Sequence, residues 1–161
     1  MKKAILNAKM FDDRIYCGNR PGTIESWLLL RSLRTLHLRV PCQSSNATKL
    51  VAHLACTKSV IRKVVHASLQ NEDFVKRHLS GGYPPCFSMY FNTEKQARIF
   101  CSKTNIFRHA TSLGGAESLC EWRAMSDRNV DRTLVRISVG VEGIDDLIRD
   151  VDQALQLAAR G

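Results

Sequence analysis

The 161 residues, 44% of them hydrophobic, suit one ordinary globular domain with a core of its own. A formal charge of +9 would permit binding to nucleic acid or an anionic surface, but the basic residues are scattered, and no RNP, zinc-finger or helix-turn-helix signature accompanies them. No stretch approaches the ~18 consecutive apolar residues of a membrane span, and six dispersed cysteines without a CxxC pair read as reduced thiols rather than a disulfide framework or metal site. A soluble, cytoplasmic protein without nucleic-acid or membrane partners is therefore expected.

Lys2 and Lys3 precede only Ala4-Ile5-Leu6, too short an apolar core for a signal peptide, and residues 1–11 stay unassigned. Residues 16–22 are turn-rich, and Thr23 is a candidate N-cap. From Ile24, the apolar positions Trp27, Leu28, Leu30, Leu33 and Leu36 predict a helix to Leu38 with a broad buried face, Arg31 and Arg34 lying opposite. Pro41 should interrupt it, because proline removes a donor and disfavours helix at the preceding residue. A second helix resumes with Ala47, Leu50, Val51, Leu54 and Ala55, and Lys49 is expected on its solvent side.

Residues 60–65 predict a strand, 71–79 a short helix and 80–85 a loop rich in Gly and Pro. Cys86 to Phe91 alternates as a strand, after which Thr93 or Asn92 caps a helix through Ala97, Phe100 and Cys101. Residues 106–110 form another short strand. His66 and His109 adjoin these strands as packing or surface residues rather than metal ligands. The final helix is marked by Ile144, Leu147, Ile148, Val151, Ala154, Leu155 and Ala158, with Asp145 and Asp146 in its first turn and Arg160 at its end to complement the dipole.

The candidate site lies between. Thr111-Ser112-Leu113-Gly114-Gly115 is a turn whose bare amides and glycines allow close approach of a ligand to the main chain. In residues 134–139, Val135, Ile137 and Val139 alternate with Leu134, Arg136 and Ser138, so Arg136 projects opposite to the β-branched residues. A guanidinium beside such a turn suits a carboxylate, to which it can make two parallel charge-assisted bonds. From spacing alone, a strand arginine in a surface ion pair and an ordinary Gly-Gly loop remain open.

Ala110-Thr-Ser-Leu-Gly-Gly-Ala-Glu-Ser-Leu119, followed by Leu134-Val-Arg-Ile-Ser-Val-Gly-Val-Glu142, resembles the C-terminal domain of the Cys/Met-metabolism pyridoxal phosphate enzymes. This is the trans-sulfuration family of cystathionine lyases and synthases and methionine γ-lyase. Trp27-Leu-Leu-Leu-Arg-Ser-Leu-Arg-Thr-Leu-His-Leu-Arg39 is similar to the family's helix leading out of the cofactor domain. The three motifs stand in the family's order, and the resemblance covers roughly Asp12 to the end.

Strands alternating with helices fit either a parallel sheet or an α+β layer. The resemblance implies the second: a two-layer α/β sandwich, a small, mainly antiparallel sheet with helices on one face, preceded by a long linking helix. It divides the chain into an unassigned segment (1–11), the linking helix region (12–40) and a substrate-carboxylate domain (41–161). Ser112 and Leu113 then border the substrate, and Arg136 resembles the arginine that holds the substrate's α-carboxylate. Thr111 stands where some members have glutamate, while Glu117 and Ser118 match the motif as structural residues.

The family's cofactor is pyridoxal phosphate, but its Schiff-base lysine and phosphate site lie upstream of the region resembled. Asn46-Ala47-Thr48-Lys49 is similar to the lysine motif but stands on the wrong side of the linking helix. The resemblance thus implies part of a carbon–sulfur lyase or γ-synthase for cystathionine or related sulfur amino acids, inactive alone. The partners implied are a sulfur amino-acid substrate and further subunits, in a homo-oligomer or a mixed oligomer with a full-length relative. An interaction module that pairs with such relatives, and a basic nucleic-acid-binding protein, are the alternatives.

Overall fold

The computed structural model describes residues 2–18, 20–57 and 59–161, with 2–6 described by backbone alone. Two compact units divide at His37 and Leu38. The first unit consists of helices: α1 (Lys2–Tyr16), in the stretch where the sequence assigned nothing, and α2 (Thr23–Leu33), followed by the start of α3 (Leu36–Cys56).

The expected helix from Ile24 to Leu38 ends early. At residues 34–35 the hydrogen bonding tightens, with Thr35 donating its amide and its hydroxyl to the Ser32 carbonyl, the local competition that makes threonine a poor helix interior. The N-cap of α2 is Gly22 rather than Thr23, because Gly22 supplies the carbonyl that accepts the Ser26 amide. Nor does α2 have the broad buried face expected of it: none of its residues is buried, and Trp27, Leu29 and Ile24 are each more than half exposed.

Pro41 lies inside α3 instead of ending it. Its ring removes one N–H near the helix start, and the burial of Ala47, Leu50, Val51 and Leu54 further along outweighs that loss. Lys49 is exposed on this helix, as expected.

The second unit is built on a five-stranded sheet in the order β1-β2-β5-β4-β3. Its strands are β1 (Ile61–Val65), β2 (Cys86–Phe91), β3 (Arg108–His109), β4 (Leu119–Trp122) and β5 (Leu134–Ser138). All neighbouring pairs are antiparallel except the short parallel β3–β4 pair. The strand β4 adds to the four expected: its core-facing Cys120 alternates with Glu121, a charged residue that masks a four-residue run.

Alternation divides the sheet into two faces. Ile61, Phe87, Met89, Phe91, Cys120, Val135 and Ile137 share one buried cluster with residues of α3, of α5 (Glu94–Lys103) and of α6 (Ile144–Arg160), so the helices cover this face. Thr93 caps α5 in a reciprocal capping box with Gln96. The stripe on α6 is buried at Leu147, Val151, Ala154, Leu155 and Ala158 and partly buried at Ile144 and Ile148, and one charged residue joins it: buried Asp150 accepts the backbone amides of Asn105, Ile106 and Phe107 at 2.7, 2.8 and 3.1 Å. It thereby fixes the entry to β3. The short helix α4 (Asp73–His78) precedes the 80–85 loop. No described helix is long and apolar enough to cross a membrane.

Candidate anion site on the open sheet face

Across the face opposite to α3, α5 and α6, Val65, Ser88, Arg136 and Glu121 stand side by side on β1, β2, β5 and β4. Arg136 lies opposite to Val135 and Ile137, as its position in the strand requires. Through Nη2 it donates to the carbonyls of Thr111 and Ser112, the latter at 2.9 Å, and contacts Glu121 Oε2 at 2.8 Å. The structure therefore brings Arg136 and the 111–115 turn together.

The turn is held at further points. Gly114, at φ +78°, donates its amide to the Ser138 hydroxyl at 2.9 Å, and buried Gln43 on α3 donates to the Gly115 carbonyl. A left-handed φ is where glycine avoids the strain a side chain would bring. Leu113, at the tip, is exposed.

Glu121 joins the site only through the pairing of β4 with β5. Its side chain is 2% exposed, accepts both contacts from Arg123 Nη1 at 3.0 Å and accepts the Ser126 hydroxyl at 2.6 Å. Burial alone would raise its pKa. The bonds from Ser126 and Arg123, with the positive charges of Arg136 and Arg123, outweigh that and hold the carboxyl below its ordinary value. One buried carboxylate is thus shared by two guanidinium groups, which leaves a surplus positive charge.

Arg136 uses Nη2 for all three of its contacts, and every buried side-chain nitrogen or oxygen among the described residues has a partner. Nη1 and Nε of Arg136, which take no part in those contacts, are accordingly not fully buried, and the side chain as a whole is 20% exposed. The arrangement can accept an anion without losing its own buried ion pair. Recognising Leu119–Trp122 as a strand would have found Glu121, because pairing β4 with β5 places it opposite Arg136.

Ser118 and Glu142 form the structural brace behind the turn. Buried Ser118 donates its amide and hydroxyl to the two Glu142 oxygens at 2.7 and 2.8 Å, and its own Oγ accepts the Gly140 amide at 2.8 Å. Gly140 is packed so closely that an added Cβ would sit 2.2 Å from the Ala116 carbonyl oxygen. His66 is a buried packing residue: Nε2 donates to the Pro84 carbonyl at 2.8 Å, so Nδ1 is left to accept from Ser68. Exposed His109 accepts the Trp122 amide. No group of three His, Cys, Asp or Glu among the described residues could hold a metal ion.

The sequence profile described as Cys/Met metabolism PLP-dependent enzyme matches residues 3–156, and so takes in most of residues 1–11 as well. Cystathionine gamma-lyase of Saccharomyces cerevisiae is 37% identical over 158 residues, covering 88% of this chain and 40% of the relative. Cystathionine gamma-synthase of Escherichia coli is 32% identical over 159 residues, covering 89% and 41%. Among solved structures, a methionine gamma lyase from Micromonospora echinospora superimposes with a TM-score of 0.83 at 30% identity, covering 95% of this chain and 44% of that one. The chain thus spans about two fifths of the length of the curated relatives it matches.

Proposed function

The chain belongs to the Cys/Met metabolism PLP-dependent enzyme family, and we propose from that premise that it forms the substrate-carboxylate side of a carbon–sulfur lyase or γ-synthase. The substrates would be cystathionine or related sulfur amino acids. The observation that carries this reading is the shared carboxylate of Glu121: because Arg123 also serves it, Arg136 keeps positive charge and outward donors beside the Ser112–Gly115 turn. A substrate α-carboxylate would take those donors, with Leu113 bordering it.

The family's cofactor supplies an electron sink for bond breaking at the substrate's α-carbon. The described residues do not fit it. A cofactor lysine needs an enclosed site, whereas Lys9, Lys49, Lys63, Lys76, Lys95 and Lys103 are all exposed. The role of this chain is therefore binding and orientation of the substrate.

The test joins residues 12–161 to the cofactor domain of a full-length relative. There Arg136→Ala would leave a largely desolvated carboxylate unpaired, a loss of about 2 to 5 kcal/mol, or roughly 30-fold to several thousand-fold in kcat/KM. Arg136→Lys should recover only part, since an ammonium cannot reproduce the fork. Esterifying the substrate carboxylate should harm the parent far more than the Ala variant. Equal sensitivity to esterification would mean that Arg136 serves only Glu121 and the turn.

A second reading concerns assembly and rests on α2. Ile24, Trp27, Leu28, Leu29, Leu30 and Leu33 are 45–69% exposed, and an apolar helix with no covered face favours association. The partner would be a second copy or a full-length relative.

A further inference from the structure

On the helix-covered side, away from the open sheet face, Glu94, Lys95, Arg98, Ile99 and Ser102 of α5 line a groove of about 730 Å³, within the ~300–1,000 Å³ range of small-molecule sites. Its electrostatics are uneven. Arg132 holds Glu94 through Nε and Nη2, at 2.6 and 2.9 Å to the two carboxylate oxygens. This pairing uses up the groove's carboxylate. Arg98 is near enough to help lower the pKa of Glu94, after the larger effects of its bond to Arg132, opposing burial and the Arg132 charge. Yet neither Arg98 nor Lys95 makes an ion pair among the described residues.

Arg98 is also fixed in place. Its guanidinium lies over the Trp122 ring, 5.2 Å from the centroid, and the ring is itself anchored by its Nε1 donating to the Arg132 carbonyl at 2.7 Å. Ser102 donates its hydroxyl to the Ile99 carbonyl, so the free donors are the guanidinium and the Lys95 ammonium, three residues apart on one helix face.

We propose that this groove binds a phosphate group, held between Lys95 and the stacked Arg98. Two unmatched positive charges neutralise the nearly two negative charges of a phosphate monoester at neutral pH; a carboxylate would leave one unmatched. Ile99 adds apolar surface for an organic substituent, which favours an ester over free phosphate. The site is independent of the Arg136 site and of the function proposed for it.

Trp122 reports binding directly once Trp27 is replaced by Phe. Titration of the 161-residue Trp27→Phe chain with n-butyl phosphate and with inorganic phosphate, at constant ionic strength, should give saturable changes in emission. Lys95→Gln, which leaves the stack intact, and Arg98→Gln, followed by phosphorus NMR, should each weaken binding about tenfold, as loss of one charge-assisted bond predicts. Tighter binding of the ester identifies an organic phosphate, and equal or tighter binding of inorganic phosphate identifies the free ion. No saturation by either probe, a response matched by chloride, or unchanged affinity in Lys95→Gln would overturn the assignment.

Discussion

Replacing Glu121 by Gln keeps the shape of the side chain and removes the charge that two guanidinium groups share. The Arg123 and Arg136 side chains are only 28% and 20% exposed, so the two cations would then face each other with little water between them. Removing one partner of a fully buried ion pair costs ~3–5 kcal/mol; with the guanidiniums partly solvated, about 2–3 kcal/mol is expected. In a chain of this size that lowers Tm by roughly 4–12 °C. Urea denaturation followed by circular dichroism measures it. Adding Arg123→Gln to the variant removes one repelling cation and should return about 1 kcal/mol, a coupling visible in a double-mutant cycle.

Acid supplies a second readout for the same residue. The folded pKa of Glu121 lies below its unfolded value, so its contribution is full above the unfolded pKa of about 4.3 and is lost as pH falls through the folded one. Wild-type protein should therefore lose more stability than Glu121→Gln on acidification from about pH 5. A variant within about 0.5 kcal/mol of wild type at pH 7, with the same acid slope, would refute the shared-carboxylate argument.

Asp150→Ala should cost about 3 kcal/mol, since three amides at residues 105–107 lose their acceptor; a shift of the urea midpoint below about 1 kcal/mol would show that water replaces the carboxylate. Gly140→Ala should cost about 1–3 kcal/mol and move the amide resonances of residues 114–118, because the new methyl group meets the Ala116 carbonyl. Carbon-detected titration should place the Asp131 carboxyl at about 2, held down by the Thr133 amide and hydroxyl and by Arg62; Thr133→Val should raise it. Sedimentation should show self-association through exposed α2, relieved when Trp27 and Leu30 become Ser; a clean monomer across a wide concentration range would count against that interface.

The sequence is most legible where one physical requirement dominates a segment. The α6 stripe and the alternation of β2 each report burial on one face, and the Thr93 cap announces α5. Arg136 was legible for the same reason, since strand period alone sets its direction. Pro41 misled because a local rule was applied to a helix whose burial lies further along. Glu121 and Gln43 were hidden for another reason: their roles exist only through partners distant in sequence, Arg136 across a strand pair and Gly115 across the layer between helix and sheet. The broad buried face read into α2 follows from its composition, but none of its residues is buried among the described residues.

The polar residues early in the second unit's first helix impose an order on folding. Gln43 reaches a carbonyl 72 residues away, and Asn46 reaches the Gly140 and Glu142 carbonyls 94 and 96 residues away. Such closures come late, because the entropy of the intervening chain is lost before the contacts repay it. The β2–β5 pairing closes a shorter stretch of chain and can form before the 111–115 turn docks onto α3 through Gln43. On refolding, Arg136 would thus be held in its strand before the loop that flanks it is seated, and the candidate anion site would mature after the sheet that carries it.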